Sequence, residues 1–197
     1  MKQMAHIDLT QFQATPLNRS AYNLSTQPER HWPAYLALGF DRDASKTRLH
    51  KMQFKGPLRV QRPFYPEKDI CHVYLLHPPG GLVSGDDIKI SIKSAPGSHA
   101  LVTTPSAGKI YHSDSHDVVQ TQSTHIHVTE AIMEWLPQET IVFDGANGLI
   151  DTEIHLQGAS KFIGWDIFCL GRTAGDFPFI TGRLTQKLSL YQDGKPL

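Results

Sequence analysis

Eleven histidines stand in this chain of 197 residues, and His125-Ile-His127 is their sharpest pattern. On a strand, side chains two residues apart project to one face, so two imidazoles stand together with Glu130 close behind, the donor types that suit zinc, copper, iron or nickel. A cupin-like metalloenzyme, a hydrolase or an oxygenase, would use His125, His127 and Glu130 in this way. That pattern also requires a longer gap before its glutamate and a glycine before its first histidine, and neither is present. Thr121, Ser123 and Thr129 instead describe a solvated strand face, the more economical reading of a motif this short. His112 and His116, with Asp114 and Asp117, compose a polar loop in which capture of nickel or zinc competes with plain hydration.

The carboxylates offer a second chemistry. Pro78-Pro-Gly-Gly-Leu-Val-Ser-Gly-Asp86 follows an apolar run, and Gly80, Gly81 and Gly85 permit a sharp bend that presents Asp86 and Asp87 at its exit. It lacks the basic residue and following helix of a phosphate loop. In Glu134-Trp-Leu-Pro-Gln-Glu-Thr-Ile-Val-Phe-Asp144, Pro137 interrupts a strand-like stretch. Trp135, Leu136, Ile141 and Phe143 are expected to anchor this segment in a core while Glu139 and Asp144 stand beside it. Carboxylates so placed need hydrogen-bond partners, protons or cations. No Ser-His-Asp order, activated cysteine or Walker-type lysine accompanies them, so nothing here composes a catalytic centre.

The elements that must position these groups read as strands. Short runs with period-two alternation or β-branched residues are separated by Gly, Pro and Asp clusters. They fall at Ala34 to Phe40, Thr47 to Phe54, Leu58 to Gln61, Cys71 to His77, Ile88 to Ile92, Ala100 to Thr103, Val118 to Val128, Ile132 to Leu136, Thr140 to Phe143, Ile150 to Leu156, Phe162 to Leu170 and Leu184 to Tyr191. Helix is scarce. The class is therefore all-β, in layered antiparallel or mixed short strands, sandwich-like or β-helix-like. The strict alternation of Ile88-Lys-Ile-Ser-Ile92 favours antiparallel pairing with one wet face. The first two runs flank a hairpin-length polar connection, and no internal repeat is evident. Met1 to Arg30 is polar and aperiodic and predicts a disordered leader, leaving residues 31–197 as one β-rich domain. At the other end, Asp193-Gly194 is a hairpin-turn signal whose returning strand is expected to be missing, leaving an exposed edge.

Composition closes off other classes. Nineteen Lys and Arg balance nineteen Asp and Glu, so no basic field attracts a nucleic-acid backbone. No apolar run approaches the roughly 20 residues needed to cross a bilayer, and no signal peptide is legible, which makes the cytoplasm the expected compartment. Cys71 and Cys169 lie in apolar runs and are expected to be buried free thiols.

Five blocks together resemble the UreD (UreH) family of urease accessory proteins: Gly56 to Glu67, Cys71 to Asp86, Ala100 to Pro105 with Lys109 and Tyr111, Glu134 to Gly145, and Phe162 to Arg172. Their order and spacing agree with the family from about Trp32 onward, and members are generally longer, which implies that the C-terminal part of the family domain is missing here. The resemblance implies a non-catalytic scaffold and chaperone for urease metallocentre assembly. It would bind the urease apoprotein and a UreF-type partner, and through that complex a UreG-type GTPase. It would help nickel reach urease, holding the ion only in transit and keeping no cofactor or tight metal site of its own. Asp86, Glu139 and Asp144 match the family's blocks and become candidate groups along a nickel passage. Two departures stand out: His112 occupies a position where the family more often has Arg, and the family pattern does not require His125 or His127.

Overall fold

The computed structural model describes residues 31–197, so the expected leader, residues 1–30, lies outside the described residues. Among the described residues, fifteen strands alternate among three sheets. The first sheet has the order β15-β14-β11-β8-β5-β1-β2, the second β12-β9-β6-β4-β3 and the third β13-β10-β7. Its long members are β1 (Trp32–Arg42), β2 (Thr47–Lys55), β5 (Asp86–Ser94), β8 (Gln120–Thr129), β11 (Ala146–Gln157) and β14 (Gly182–Gln192). The second sheet holds β3 (Arg59–Val60), β4 (Cys71–Leu76), β6 (His99–Thr103), β9 (Ile132–Leu136) and β12 (Lys161–Gly164). The third holds β7 (Gly108–Ile110), β10 (Thr140–Val142) and β13 (Phe168–Leu170), and β15 is Lys195–Pro196.

Chain order makes this a coil. β5, β6 and β7 visit the first, second and third sheets in turn; β8, β9 and β10 repeat the circuit, β11, β12 and β13 repeat it again, and β14 begins a fourth. Each strand therefore pairs in parallel with the corresponding strand of the next circuit. The all-β expectation holds, in its β-helix-like form. The antiparallel expectation for Ile88 to Ile92 does not, because β5 is parallel to both β1 and β8. Helices cover both faces of an ordinary parallel sheet, whereas here a strand has one face toward the coil's interior and one toward solvent. Alternation along the strand thus reports a wet outer face and says nothing about direction. The expected hairpin is real, with β1 and β2 antiparallel.

Stacked rows of identical pleat position fill the interior. Ile92, Ile126 and Ile154 occupy one such row and are at most 2% exposed. Val73, Val102, Met133, Trp135, Ile110 and Val142 meet them from the other sheets. The segment from Ile132 to Val142 turns a corner, β9 in the second sheet and β10 in the third, with Pro137 between them, where no ladder requires an N–H. Trp135 and Val142 anchor it; Leu136, Ile141 and Phe143 are only partly buried, because the pleat sends them away from the interior. The run from Phe162 to Leu170 is likewise two strands around a corner at Trp165 to Ile167, since β12 and β13 belong to different sheets. At the end of β14, Asp193 and Gly194 adopt positive φ (50° and 77°) and return the chain into two-residue β15, so a short returning strand is present after all. Cys71 is a buried free thiol, but Cys169 is partly exposed, since β13 has no further strand beyond it in its sheet.

Candidate functional site

Three corners between the second and third sheets stack on one another, and a cavity of about 300 Å³ opens there into the coil's interior. The corners at Thr104 to Gly108, Pro137 to Thr140 and Asp166 to Phe168 supply one side. His77 to Leu82 closes an end, while Ile90, Gln122 and Ile150 form the floor on the first sheet. Backbone bonds lock the stack: Gly108 N–H donates to the Glu139 carbonyl (2.9 Å) and Thr140 N–H to that of Ile167 (2.8 Å). Gly81 fits without a side chain, because a Cβ there would lie 2.7 Å from both Lys109 Cβ and the Tyr111 ring.

Among the described residues, the one carboxylate lining this cavity is Asp166. It accepts a hydrogen bond from the Thr152 hydroxyl (2.7 Å), itself 2% exposed, and a longer one from the Trp135 indole N–H (3.2 Å). Thr124 pairs with Thr152 in the adjoining strand, and its fully buried hydroxyl has no hydrogen-bond partner among the described residues. Gln120, four residues back on the same inward face, donates to the Tyr111 carbonyl (2.8 Å) and accepts from Asn147 N–H (3.3 Å). Polar groups therefore enter the interior from the middle strands of the first sheet. His77 adds an imidazole whose burial holds it below its usual range, with the Asp86 charge pulling the other way.

The three carboxylates expected from sequence have different settings. Asp86 begins β5, and its carboxylate accepts from Val83 N–H (2.9 Å), tying off the bend formed with Gly80 and Gly85, both at positive φ. Glu139 stands in the middle corner between the lining residues Gln138 and Thr140. Asp144 accepts from the N–H groups of Thr181 (2.6 Å) and Ile180 (2.8 Å), which hold its carboxyl below the usual carboxylate range. Pro137 contributes its carbonyl to the Trp165 indole N–H (2.9 Å).

His125 and His127 do share the outer face of β8, as their spacing requires, but they are partly buried rather than freely solvated. Glu130 does not join them. It leaves the strand at positive φ (47°), and its carboxylate accepts from Ala159 N–H (3.1 Å) in the next circuit. The cupin-like set of His125, His127 and Glu130 is therefore not assembled, and among the described residues no three His, Cys, Asp or Glu side chains converge as a metal site in their present positions. Also among the described residues, no helix is long and apolar enough to cross a membrane.

Sequence reasoning missed Asp166 because it ran a single strand through Phe162 to Leu170; Gly164 was the signal of a corner. It missed His77 and Gln122 because neither stands out until the coil folds them onto one cavity.

Comparison with known proteins gives a consistent result. Residues 33–197 match the family described as UreD urease accessory protein. A urease accessory protein UreD from Chromohalobacter salexigens is 50% identical over 194 residues, spanning 93% of this chain and 61% of that protein. One from Marinobacter nauticus is 50% identical over 96% of this chain and 65% of its own length, and one from Pseudoalteromonas translucida is 52% identical over 88% and 60%. The chain thus spans about three fifths of the length of these relatives.

Proposed function

Because the chain belongs to the UreD urease accessory protein family, we propose that it is a non-catalytic factor in urease maturation, a cytoplasmic scaffold whose coil also conducts nickel toward the urease apoprotein. The observation that carries the conduit is the cavity at the three stacked corners. A purely aliphatic interior offers a cation nothing, but this cavity is lined from different sides by the Asp166 carboxylate, the Gln122 amide and the His77 imidazole, with Lys109 as its one lining ammonium group among the described residues. Such oxygen and nitrogen donors, few in number, hold a divalent ion weakly, whereas a closed thiolate set would retain it. Nickel is cargo in this reading, not a resident cofactor.

Asp86 and Glu139 flank the cavity, Asp86 through its field on His77 and Glu139 within the middle corner, and they serve as approach groups. Asp144, fixed by the Ile180 and Thr181 amides, orders the turn that leads into β14. The partners are the urease apoprotein, a UreF-type accessory protein and, through the complex, a UreG-type GTPase. Co-expression with urease subunits and both partners tests the reading. A variant with Asp86, Glu139 and Asp144 all changed to Ala should still co-purify with its partners but yield nickel-poor urease; urease with its normal nickel content would sink the role of these carboxylates.

A further inference from the structure

β2 ends the first sheet, antiparallel to β1 and with no strand beyond it among the described residues. Its beginning is tied down, since Thr47 N–H donates to the Asp69 carbonyl (2.9 Å). From His50 to Lys55, β1 is the only backbone partner among the described residues, so a row of N–H and C=O groups faces outward. The register divides this stretch by face. Met52 and Phe54 stand opposite the core residues Leu38 and Leu36, and Lys51, Gln53 and Lys55 point to the other side. Met52 and Phe54 are nevertheless 45% and 41% exposed, because β2 lies beyond the first circuit of the coil with a neighbouring strand on one side only.

Charge on this edge is one-sided, although the chain as a whole is neutral. Arg48 and His50 are matched by Asp43 (2.7 Å) and Asp41 (3.9 Å). Lys51, Lys55 and Arg59 have no carboxylate within ion-pair distance among the described residues. Arg59 is already held in place: its guanidinium lies over the Phe54 ring (4.1 Å), and Nη1 donates to the Gly56 and Leu58 carbonyls (2.6 and 2.7 Å). That leaves Nε and Nη2, a pair that can grip one carboxylate with two parallel bonds.

We propose that the free edge of β2 binds an extended protein segment of alternating apolar and acidic residues by strand addition. In an added strand the apolar side chains fall beside Met52 and Phe54, the acidic ones fall beside Lys51 and Lys55, and Arg59 takes a carboxylate at the segment's end. Backbone bonds to the edge supply affinity. The two faces fix the register, because a slip of one residue sets carboxylates against Phe54 and apolar groups against the lysines. Lysines alone would blunt an edge against every strand, but the exposed Met52 and Phe54 between them give an acidic, amphipathic strand apolar surface to bury.

A fluorescein-labelled octapeptide alternating Val and Glu, followed by anisotropy on the intact chain, tests this without involving nickel. The chain should bind it at least roughly 10-fold more tightly than the Val/Lys counterpart, since like charges would then face each other across the edge. Methylating the peptide nitrogens on its β2-facing side removes the donors and should also weaken binding roughly 10-fold. Lys51→Glu with Lys55→Glu should turn the preference toward the Val/Lys peptide, with circular dichroism confirming that the variant is folded. Should that variant unfold, Arg59→Gln alone should weaken the Val/Glu peptide several-fold. Equal binding of the two peptides, indifference to methylation, or wild-type preference in the folded Lys51→Glu, Lys55→Glu chain or wild-type affinity in Arg59→Gln would overturn the proposal. So would a dimer in sedimentation that the charge reversal dissociates, which would put a second copy on the edge.

Discussion

Asp166 links the cavity to the fold, so its replacement has a cost that can be worked out from its neighbours. The carboxylate satisfies two donors, the buried Thr152 hydroxyl and the Trp135 indole N–H. Leaving a buried donor unpaired costs about 1–3 kcal/mol, so losing both would cost about 2–6 kcal/mol if nothing replaced the carboxylate. The adjoining cavity of about 300 Å³ changes this, because water can enter and bridge both donors at about 0–2 kcal/mol each. Asp166→Ala, which leaves room for water, should therefore destabilise by about 1–3 kcal/mol. Asp166→Leu fills that room with methyl groups and should approach the upper figure, about 3–5 kcal/mol. Asp166→Asn keeps one acceptor oxygen and should cost about 1 kcal/mol. Urea unfolding midpoints, compared at constant slope, give the order Asn, then Ala, then Leu. If Leu proves no worse than Ala, the carboxylate is not serving the two donors and the assignment of this wall is wrong.

Three other outcomes follow from the same geometry. Gln120→Leu strands the Tyr111 carbonyl and the Asn147 N–H inside the coil and should cost about 2–4 kcal/mol in urea unfolding. Gly145→Ala places a Cβ in a left-handed residue (φ +71°) about 2.1 Å from His112 Nδ1, so it should lower the thermal midpoint and release His112 from the Asp144 carbonyl (2.9 Å), visible as a shifted imidazole resonance. Because amide donors hold the Asp144 carboxyl below its ordinary value of 3.8, its contribution to stability is fully present above that value and is lost as pH falls through the lower, folded-state value. Asp144→Asn should therefore flatten the acid limb of a stability-versus-pH curve below about pH 4.

Strand positions were legible because inward apolar residues alternate with outward polar ones, and β9 was read to the residue. The coil was not. Ile90, Thr124 and Thr152 share one interior row although 34 and 28 residues separate them, a spacing too uneven to register as a repeat. Gly108 to Ile110 escaped notice because three residues carry no periodicity, yet β7 forms an edge of the third sheet. The family resemblance pointed to Asp86, Glu139 and Asp144, residues in conspicuous blocks. Asp166 and His77 come together only when corners far apart in sequence stack.

The proposed passage of nickel through the interior of the coil is tested most directly by closing that route. Gln122→Trp with Thr140→Trp places two indoles in the corner cavity while leaving the outer face of the first sheet unchanged. In cells co-expressing urease and the two partner proteins, nickel per urease active site should fall sharply with the doubly substituted chain while its co-purification with urease and the UreF-type protein persists. Full nickel loading by a chain with its cavity filled and its partners bound would contradict the conduit.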